Sequence, residues 1–173
     1  AHAAIDAALE LQARRCLAAS DIGSIQIATF STALKLNNDV RPRTLEAAQY
    51  SIPFCVALAV TRGAGALLPL REEALSDESV LSLAERITIS VDSELDAMFS
   101  RAVPARVVVA TSKGRFMQTV LAPKGEPSNP LNWEELEAKF DQVAEHLMSA
   151  EERIALKKAI GALETGEVAP LRS

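Results

Sequence analysis

Cysteine is scarce in this chain: Cys16 and Cys55 are the only two in 173 residues. Two cysteines are too few for a disulfide scaffold, and both lie in apolar helical surroundings. We therefore expect buried free thiols in a reducing compartment, the cytoplasm. Long hydrophobic runs are also missing, because the most apolar stretch, from Ile52 to Val60, is interrupted by Pro53. A membrane-spanning helix needs about 20 apolar residues, so we expect no membrane protein.

Excess positive charge is missing as well. The chain has 18 lysines and arginines against 23 aspartates and glutamates, a formal net charge of −5. Nucleic-acid binding favours a basic face, so we expect no nucleic-acid partner. No basic-then-apolar leader is visible, which argues against a secretory signal. The chain opens at Ala1 in a helical pattern without an initiator Met, and we expect it to be a piece of a longer protein.

Metal and cofactor motifs are absent too. The sequence has two histidines and no Cys-x-x-Cys, His-x-His or His-Glu-x-x-His pattern. Its glycines form no phosphate-binding loop after a strand. We therefore expect no metal and no cofactor-binding residues.

What is present is a mixed order of helices and strands. A helix is predicted over 3–18, a longer one from Leu45 to Arg62 that Pro53 should kink near Tyr50 and Ser51, and a short one after Ser76 or Asp77. Asn132 and Ser149 start two capping boxes for two last helices. Strands are predicted over 24–31, 87–92, 105–111 and 115–121, the last two joined as a hairpin at Gly114.

This order lacks the regular alternation of a doubly wound sheet. We predict an α+β fold in which a small, mostly antiparallel sheet is covered on one side by helices.

His2 is one candidate for chemistry, because it precedes the first helix. Unpaired N–H groups at a helix start attract anions, and an imidazole beside them would have a proton donor or acceptor within reach of a carboxylate. The alternative is a disordered terminal residue. His146 lies one residue off an apolar stripe and is predicted to be a surface side chain.

Arg41 is a second candidate, since its rigid fork suits a carboxylate and Pro42 stiffens its loop. The alternative is a surface side chain or a helix-docking ion pair. Tyr50 and Ser51 could present hydroxyls at the kink, or be core-edge residues. Lys124 and Gly125 are most simply a turn.

Five segments, taken in order, resemble one family. They are His2–Leu9, Arg41–Pro42, Glu46–Phe54 with Ala57 and Gly63 behind it, Lys124–Pro130, and Glu135–Phe140. Together they are similar to the second half of the MmgE/PrpD family, which includes 2-methylcitrate dehydratase, cis-aconitate decarboxylase and iminodisuccinate epimerase.

The resemblance implies the smaller, α+β, C-terminal domain of a two-domain enzyme. Residues 1–165 would form that domain, 166–173 a tail, and an all-helical N-terminal domain would lie outside this chain. Family members form homodimers and act on small di- and tricarboxylates without metal or organic cofactor. Their active site lies between the two domains and includes a histidine at the position of His2.

The chemistry implied is proton transfer at a carbon α to a carboxylate, followed by dehydration, epimerisation or decarboxylation. His2 would be the catalytic acid or base, and Arg41, Tyr50 and Ser51 would bind substrate. Residues 35–40 contain no tyrosine, where cis-aconitate decarboxylases carry one, so a dehydratase (lyase) or an isomerase is favoured. The alternative is a non-catalytic binding or dimerisation module, and the isolated domain is expected to be inactive.

Overall fold

The computed structural model describes residues 1–163 and divides into two compact units, Ala1–Pro130 and a second unit that starts at Leu131. The first unit holds a four-stranded sheet with helices, the α+β class predicted from the sequence. Its helices are α1 (His2–Arg15), α2 (Leu45–Gln49), α3 (Ile52–Arg62), α4 (Glu78–Ala84) and α5 (Ser93–Asp96). The predicted tail over 166–173 lies outside the described residues.

The sheet contains β1 (Ile22–Thr29), β2 (Ile87–Val91), β3 (Ala105–Thr111) and β4 (Gly114–Val120), in the order β2-β1-β3-β4. β1 pairs in parallel with β2, whereas the β1–β3 and β3–β4 pairs are antiparallel. Two antiparallel pairs against one parallel pair confirm the mostly antiparallel prediction. The β3–β4 hairpin turns at Gly114, whose φ of 131° is readily available only to glycine.

One face of the sheet forms the core with α1 and α3. Ile25 and Ile27 of β1 and Val107 and Val109 of β3 are buried, because alternate side chains of a strand point to the same face. Every residue from Ile52 to Val60 in α3 is buried, as expected for a helix that is apolar all round. α1 meets this core with small side chains, including Ala3, Ala4, Ala7 and Ala8.

The predicted kinked helix over 45–62 is in fact two helices. α2 ends at Gln49, and Ser51 has an extended backbone with φ −109° and ψ 109°. The Ser51 hydroxyl accepts a hydrogen bond from the N–H of Phe54 and so caps α3. Pro53 then lies in the first turn, where its missing N–H costs no helical hydrogen bond. The sequence correctly located the irregularity near Tyr50 and Ser51. Because Ser51 caps α3, however, the chain forms two separate helices instead of one kinked helix.

The prediction that both cysteines are buried is wrong for Cys16. Cys16 ends α1 in the left-handed conformation with φ 49° and is exposed, since the helix stops at Arg15 instead of continuing to residue 18. Cys55 is buried, and its thiol donates to the carbonyl of Ala48 at 3.3 Å. Burial raises the pKa of the Cys55 thiol and so disfavours the reactive thiolate.

We expect a maleimide at neutral pH to label Cys16 quickly and Cys55 at least about 100-fold more slowly, because Cys55 reacts only when the core opens. Peptide mapping by mass spectrometry identifies the labelled residue. C16S is the control and should remove the fast labelling of this chain. Fast labelling of Cys55 in native protein would contradict the described burial.

Asp77 caps α4, and it is one of the two residues, Ser76 and Asp77, that the sequence offered for this role. Its carboxylate accepts hydrogen bonds from the N–H and hydroxyl of Ser79 and from Arg62. These hydrogen bonds lower the pKa of Asp77, and the bond from the Ser79 hydroxyl has the largest effect. A carboxyl whose folded pKa is depressed stabilises the fold above its unfolded pKa, and this contribution is lost as the pH falls through the folded value.

We expect D77A to cost about 1 kcal/mol of unfolding free energy, a typical loss for a helix cap. D77N keeps a capping oxygen but not the charge, and should lose less. The difference between wild type and D77N should shrink as the pH falls below about 4, near the ordinary pKa of Asp. Urea titrations at several pH values measure this, and a difference that does not change with pH would refute the charge argument.

The second unit contains α6 (Trp133–Ala144) and α7 (Ala150–Ala162), and both predicted capping boxes are present. The carboxylate of Asp141 joins the two helices by accepting from Arg153 at 3.2 Å and Lys157 at 2.7 Å. Several members of the predicted apolar stripe are exposed, namely Trp133, Leu136 and Val143 on α6 and Leu147 just after this helix. No helix within residues 1–163 has the length and apolar character needed to cross a bilayer.

Candidate active site

His2 is the first residue of α1 and its side chain is exposed. Ala1 directly precedes the helix, and its carbonyl accepts hydrogen bonds from the N–H groups of Ala4 and Ile5 at 3.0 Å each. The positive end of the helix dipole at this terminus favours a negatively charged group. The structure therefore places His2 at the start of the first helix, and its catalytic role stays a prediction.

A cavity of about 210 Å³ lies at this end of α1. Its walls come from the start of α1, the end of β1, Phe30 and Ala33 after that strand, the first residue of α3, the segment that leads into β3, and Glu126. Most of the lining is apolar. His2 and Glu126 are the two ionisable side chains among the described residues that line it.

Thr29 holds one wall of the cavity in place. Its hydroxyl donates to the carbonyl of Pro104 at 2.7 Å, and the side chain is 3% exposed. This bond ties the end of β1 to the segment before β3. The Thr29 hydroxyl already donates this hydrogen bond, so we assign Thr29 a structural role in the wall of the cavity.

Glu126 reaches the cavity through a turn that is fastened to α1. The Asp6 carboxylate accepts a hydrogen bond from the backbone N–H of Lys124 at 2.8 Å. Within the turn, the N–H of Gly125 donates to the carbonyl of Asn129 at 2.8 Å, and Gly125 has a φ of 99°. The Asn129 amide donates to the carbonyl of Ala122 at 3.0 Å. The turn is thus bonded both to itself and to the helix that carries His2.

Sequence reasoning missed Asp6 and Glu126 as members of this site. It interpreted the segment around Lys124 and Gly125 as a simple turn, which is correct locally. A signal was available, because Asp6 and Glu126 belong to two of the segments that carry the family resemblance. Only the fold shows that these two segments are in contact.

Arg41 lies elsewhere, in an ion-pair cluster with α4. Its Nη1 and Nη2 donate to the two carboxylate oxygens of Glu78 at 3.1 Å each, and its Nε donates to Glu85 at 2.5 Å. Contact with Glu78, and then with Glu85, raises the pKa of Arg41, and Arg41 in turn lowers the pKa of Glu78. Arg41 does not line the cavity. Its contacts are those of the helix-docking ion pair, one of the roles left open above.

The hydroxyls predicted at the kink also have local settings of their own. Ser51 is fully buried, and its hydroxyl donates to the carbonyl of Asp39 at 2.6 Å while capping α3. Tyr50 is 54% exposed and lines a separate surface depression with Lys35 and Thr44. The neighbouring Ile52, rather than Tyr50 or Ser51, lines the cavity that His2 borders.

His146, the other histidine, lies just after α6 with its side chain about half exposed, as predicted, and its Nε2 is 3.3 Å from Glu145. Within residues 1–163 no three side chains of histidine, cysteine, aspartate or glutamate converge as metal ligands would.

Comparison with known proteins adds an independent observation. No curated protein matches the chain significantly. A family model described as the MmgE/PrpD C-terminal domain matches residues 1–164, nearly the whole chain. The match includes all the segments on which the resemblance rests, and the α+β fold is the one that the resemblance implied. The chain therefore belongs to the MmgE/PrpD family, as its C-terminal domain.

Proposed function

We propose that this chain supplies part of the active site of a cofactor-independent enzyme that transfers a proton at the carbon α to a carboxylate. The substrates are small di- or tricarboxylates, and the reaction is a dehydration like that of 2-methylcitrate dehydratase, or an epimerisation. The observation that carries the proposal is the position of His2, on the lining of a cavity in a chain of this family.

The chemistry of the cavity supports this proposal. Amide N–H groups at the start of α1 can bind one substrate carboxylate, which places the adjacent carbon near the imidazole. Apolar walls keep water away and strengthen the attraction between the helix start and the negative charge that develops when the proton leaves. A volume of about 210 Å³ suits a small metabolite, since pockets for drug-sized ligands measure about 300–1,000 Å³.

The substrate-binding roles of Arg41, Tyr50 and Ser51 stay predictions. Arg41 would have to share its fork with Glu78 and Glu85, and Ser51 would have to give up a buried hydrogen bond. Tyr50 is the most exposed of the three. His2 is therefore the residue on which the proposal depends.

The rest of the proposed assembly follows the family. We propose that an N-terminal helical domain of the same protein closes the cavity, that the protein is a cytoplasmic homodimer, and that the C-terminal domain alone is inactive. Among the described residues, the cavity lining contains no lysine or arginine that could bind a second substrate carboxylate, so we propose that further groups come from outside this chain. Closure by a second domain is a common way to complete such a site.

The alternative is a binding or dimerisation module without catalytic activity. One observation favours it, the exposed apolar side chains on α6, among them Trp133, Leu136 and Val143. Exposed apolar patches often mark protein interfaces. This alternative predicts binding of an acid or of another chain without any chemical change.

Proton NMR in heavy water tests the proposal directly. The full-length protein that contains this chain is incubated with a panel of di- and tricarboxylates, such as malate, citrate and 2-methylcitrate. We expect the α C–H signal of at least one acid to disappear by exchange or to be converted into product, with the matching monocarboxylates as controls. If no acid in the panel exchanges or reacts, the proposal fails and the binding module is favoured.

A further inference from the structure

Glu126 is an ionisable side chain on the cavity of His2, and the proposed function assigns it no role. We propose that Glu126 is a second catalytic residue of this site and that Asp6 is the residue that positions it. The inference rests on the proposed function, because it concerns the same cavity and the same reaction. It adds a partner for His2, so that one residue removes the α-proton of the substrate and the other protonates its β-hydroxyl.

The placement of Glu126 is determined by α1 itself. His2 and Asp6 are four residues apart on α1 and so lie on one side of it, one turn from each other. The Asp6 carboxylate accepts from the N–H of Lys124 at 2.8 Å, two residues before Glu126. The N–H of Glu126 donates to the carbonyl of Pro123 at 3.2 Å, and that of Asn129 donates to the carbonyl of Glu126 at 2.8 Å. One helix thus carries the histidine and fastens the turn that carries the glutamate.

A dehydration needs two groups with opposite tasks, and this pair supplies them. The Glu126 carboxylate takes the α-proton, and the electron pair of the C–H bond moves into the carbon skeleton. The His2 imidazolium gives its proton to the β-hydroxyl as the C–O bond breaks with its electron pair, so that water leaves and a C=C bond forms. Solvent then takes one proton from Glu126 and returns one to His2, which restores the site.

The same placement constrains how the substrate lies in the cavity. Glu126 disfavours a substrate carboxylate beside it, because like charges repel in an apolar site. The start of α1 instead attracts a carboxylate. We therefore place a carboxylate of the acid at the helix start, with the C–H bond that breaks directed at Glu126. Among the described residues, His2 and Glu126 are the ionisable side chains that line the cavity at this position.

The test uses the full-length protein and the acid found by the exchange screen. E126Q keeps the size of the side chain but removes the base, so kcat should fall by about 100-fold or more while KM changes less than threefold. E126D retains a carboxylate and should recover part of the activity. E72Q is the matched control, an exposed glutamate away from the cavity, and should keep wild-type activity.

Variants of Asp6 test whether its carboxylate positions Glu126 by accepting the hydrogen bond from Lys124. D6A removes the bond to Lys124 and should lower kcat, whereas D6N retains a side-chain oxygen that can accept the bond and should be close to wild type. The double variant D6A/E126Q should be no slower than E126Q alone, because Asp6 acts through Glu126. Additive losses in kcat would show that Asp6 supports the fold and does not position Glu126.

The outcomes separate this inference from the proposed function. If H2A is inactive and E126Q retains kcat within threefold, the inference about Glu126 is overturned and the proposed function stands. If H2A keeps normal turnover, the catalytic role proposed for His2 fails, and Glu126 loses its partner. Loss of kcat in both variants, with circular dichroism spectra like the wild type, supports the pair.

Discussion

Replacing His2 by alanine is expected to lower kcat of the full-length enzyme by about 100- to 10,000-fold, the usual contribution of a general acid or base. The imidazole lies at the start of α1, on the wall of the cavity, and is exposed. Removing it takes away a proton donor or acceptor but no buried contact. We therefore expect the unfolding free energy to change by less than about 0.5 kcal/mol.

Turnover of the acid identified in heavy water, measured beside a urea titration, checks both parts of this expectation. H146A is the matched control, because His146 is the other histidine of the chain and lies after α6, outside the cavity lining. It should retain activity. Wild-type turnover in H2A would remove the basis for assigning any chemistry to this cavity.

Replacing Phe54 by alanine is expected to cost about 3–5 kcal/mol of unfolding free energy, the range for a large aromatic side chain in a core. Phe54 is 0% exposed and lies in the first turn of α3, the helix buried all round. A folded domain is stable by only about 5–15 kcal/mol, so this one change removes a large part of the total. The cost combines lost burial with the cavity that rigid neighbours leave open.

Two further variants keep this prediction testable if F54A does not fold. F54L keeps much of the volume and should cost less than about 1.5 kcal/mol. F99A makes the same chemical change at a side chain that is 37% exposed and stacks on Phe30 at 4.2 Å. It should cost clearly less than F54A, because part of the Phe99 side chain is already in water and the aromatic pair contributes only about 0.5–1.5 kcal/mol beyond its buried area. Equal losses for F54A and F99A in urea titrations would contradict the described core.

Helix and strand signals in this chain are mainly local, and for that reason they could be interpreted from the sequence. The capping boxes at Asn132 and Ser149 depend on residues three positions apart, and the hairpin depends on Gly114. The all-round apolar character of Ile52–Val60 indicated a buried helix at the centre of the fold, and the structure confirms it. The α+β class followed from the order of these elements.

Where local signals competed, the prediction went wrong. At Tyr50 and Ser51 the choice between a kink and a break depended on the hydroxyl of Ser51, which caps α3 and is held by the carbonyl of Asp39. At Cys16 the helix ends early in a left-handed residue, and this exposes a thiol that its apolar helical surroundings had suggested was buried.

Some residues of the candidate site could be identified from the sequence, and others only from the fold. His2 could be recognised from its position before a helix and from the segment it shares with the MmgE/PrpD family. Two other contacts join residues that are far apart along the chain. Arg41 pairs with Glu78 and Glu85, and Asp6 accepts a hydrogen bond from the turn that carries Glu126. Short-range sequence patterns encode caps, turns and buried faces, because those depend on neighbouring residues. Which charged side chains share a cavity depends on how distant segments pack, and this only the folded chain reveals.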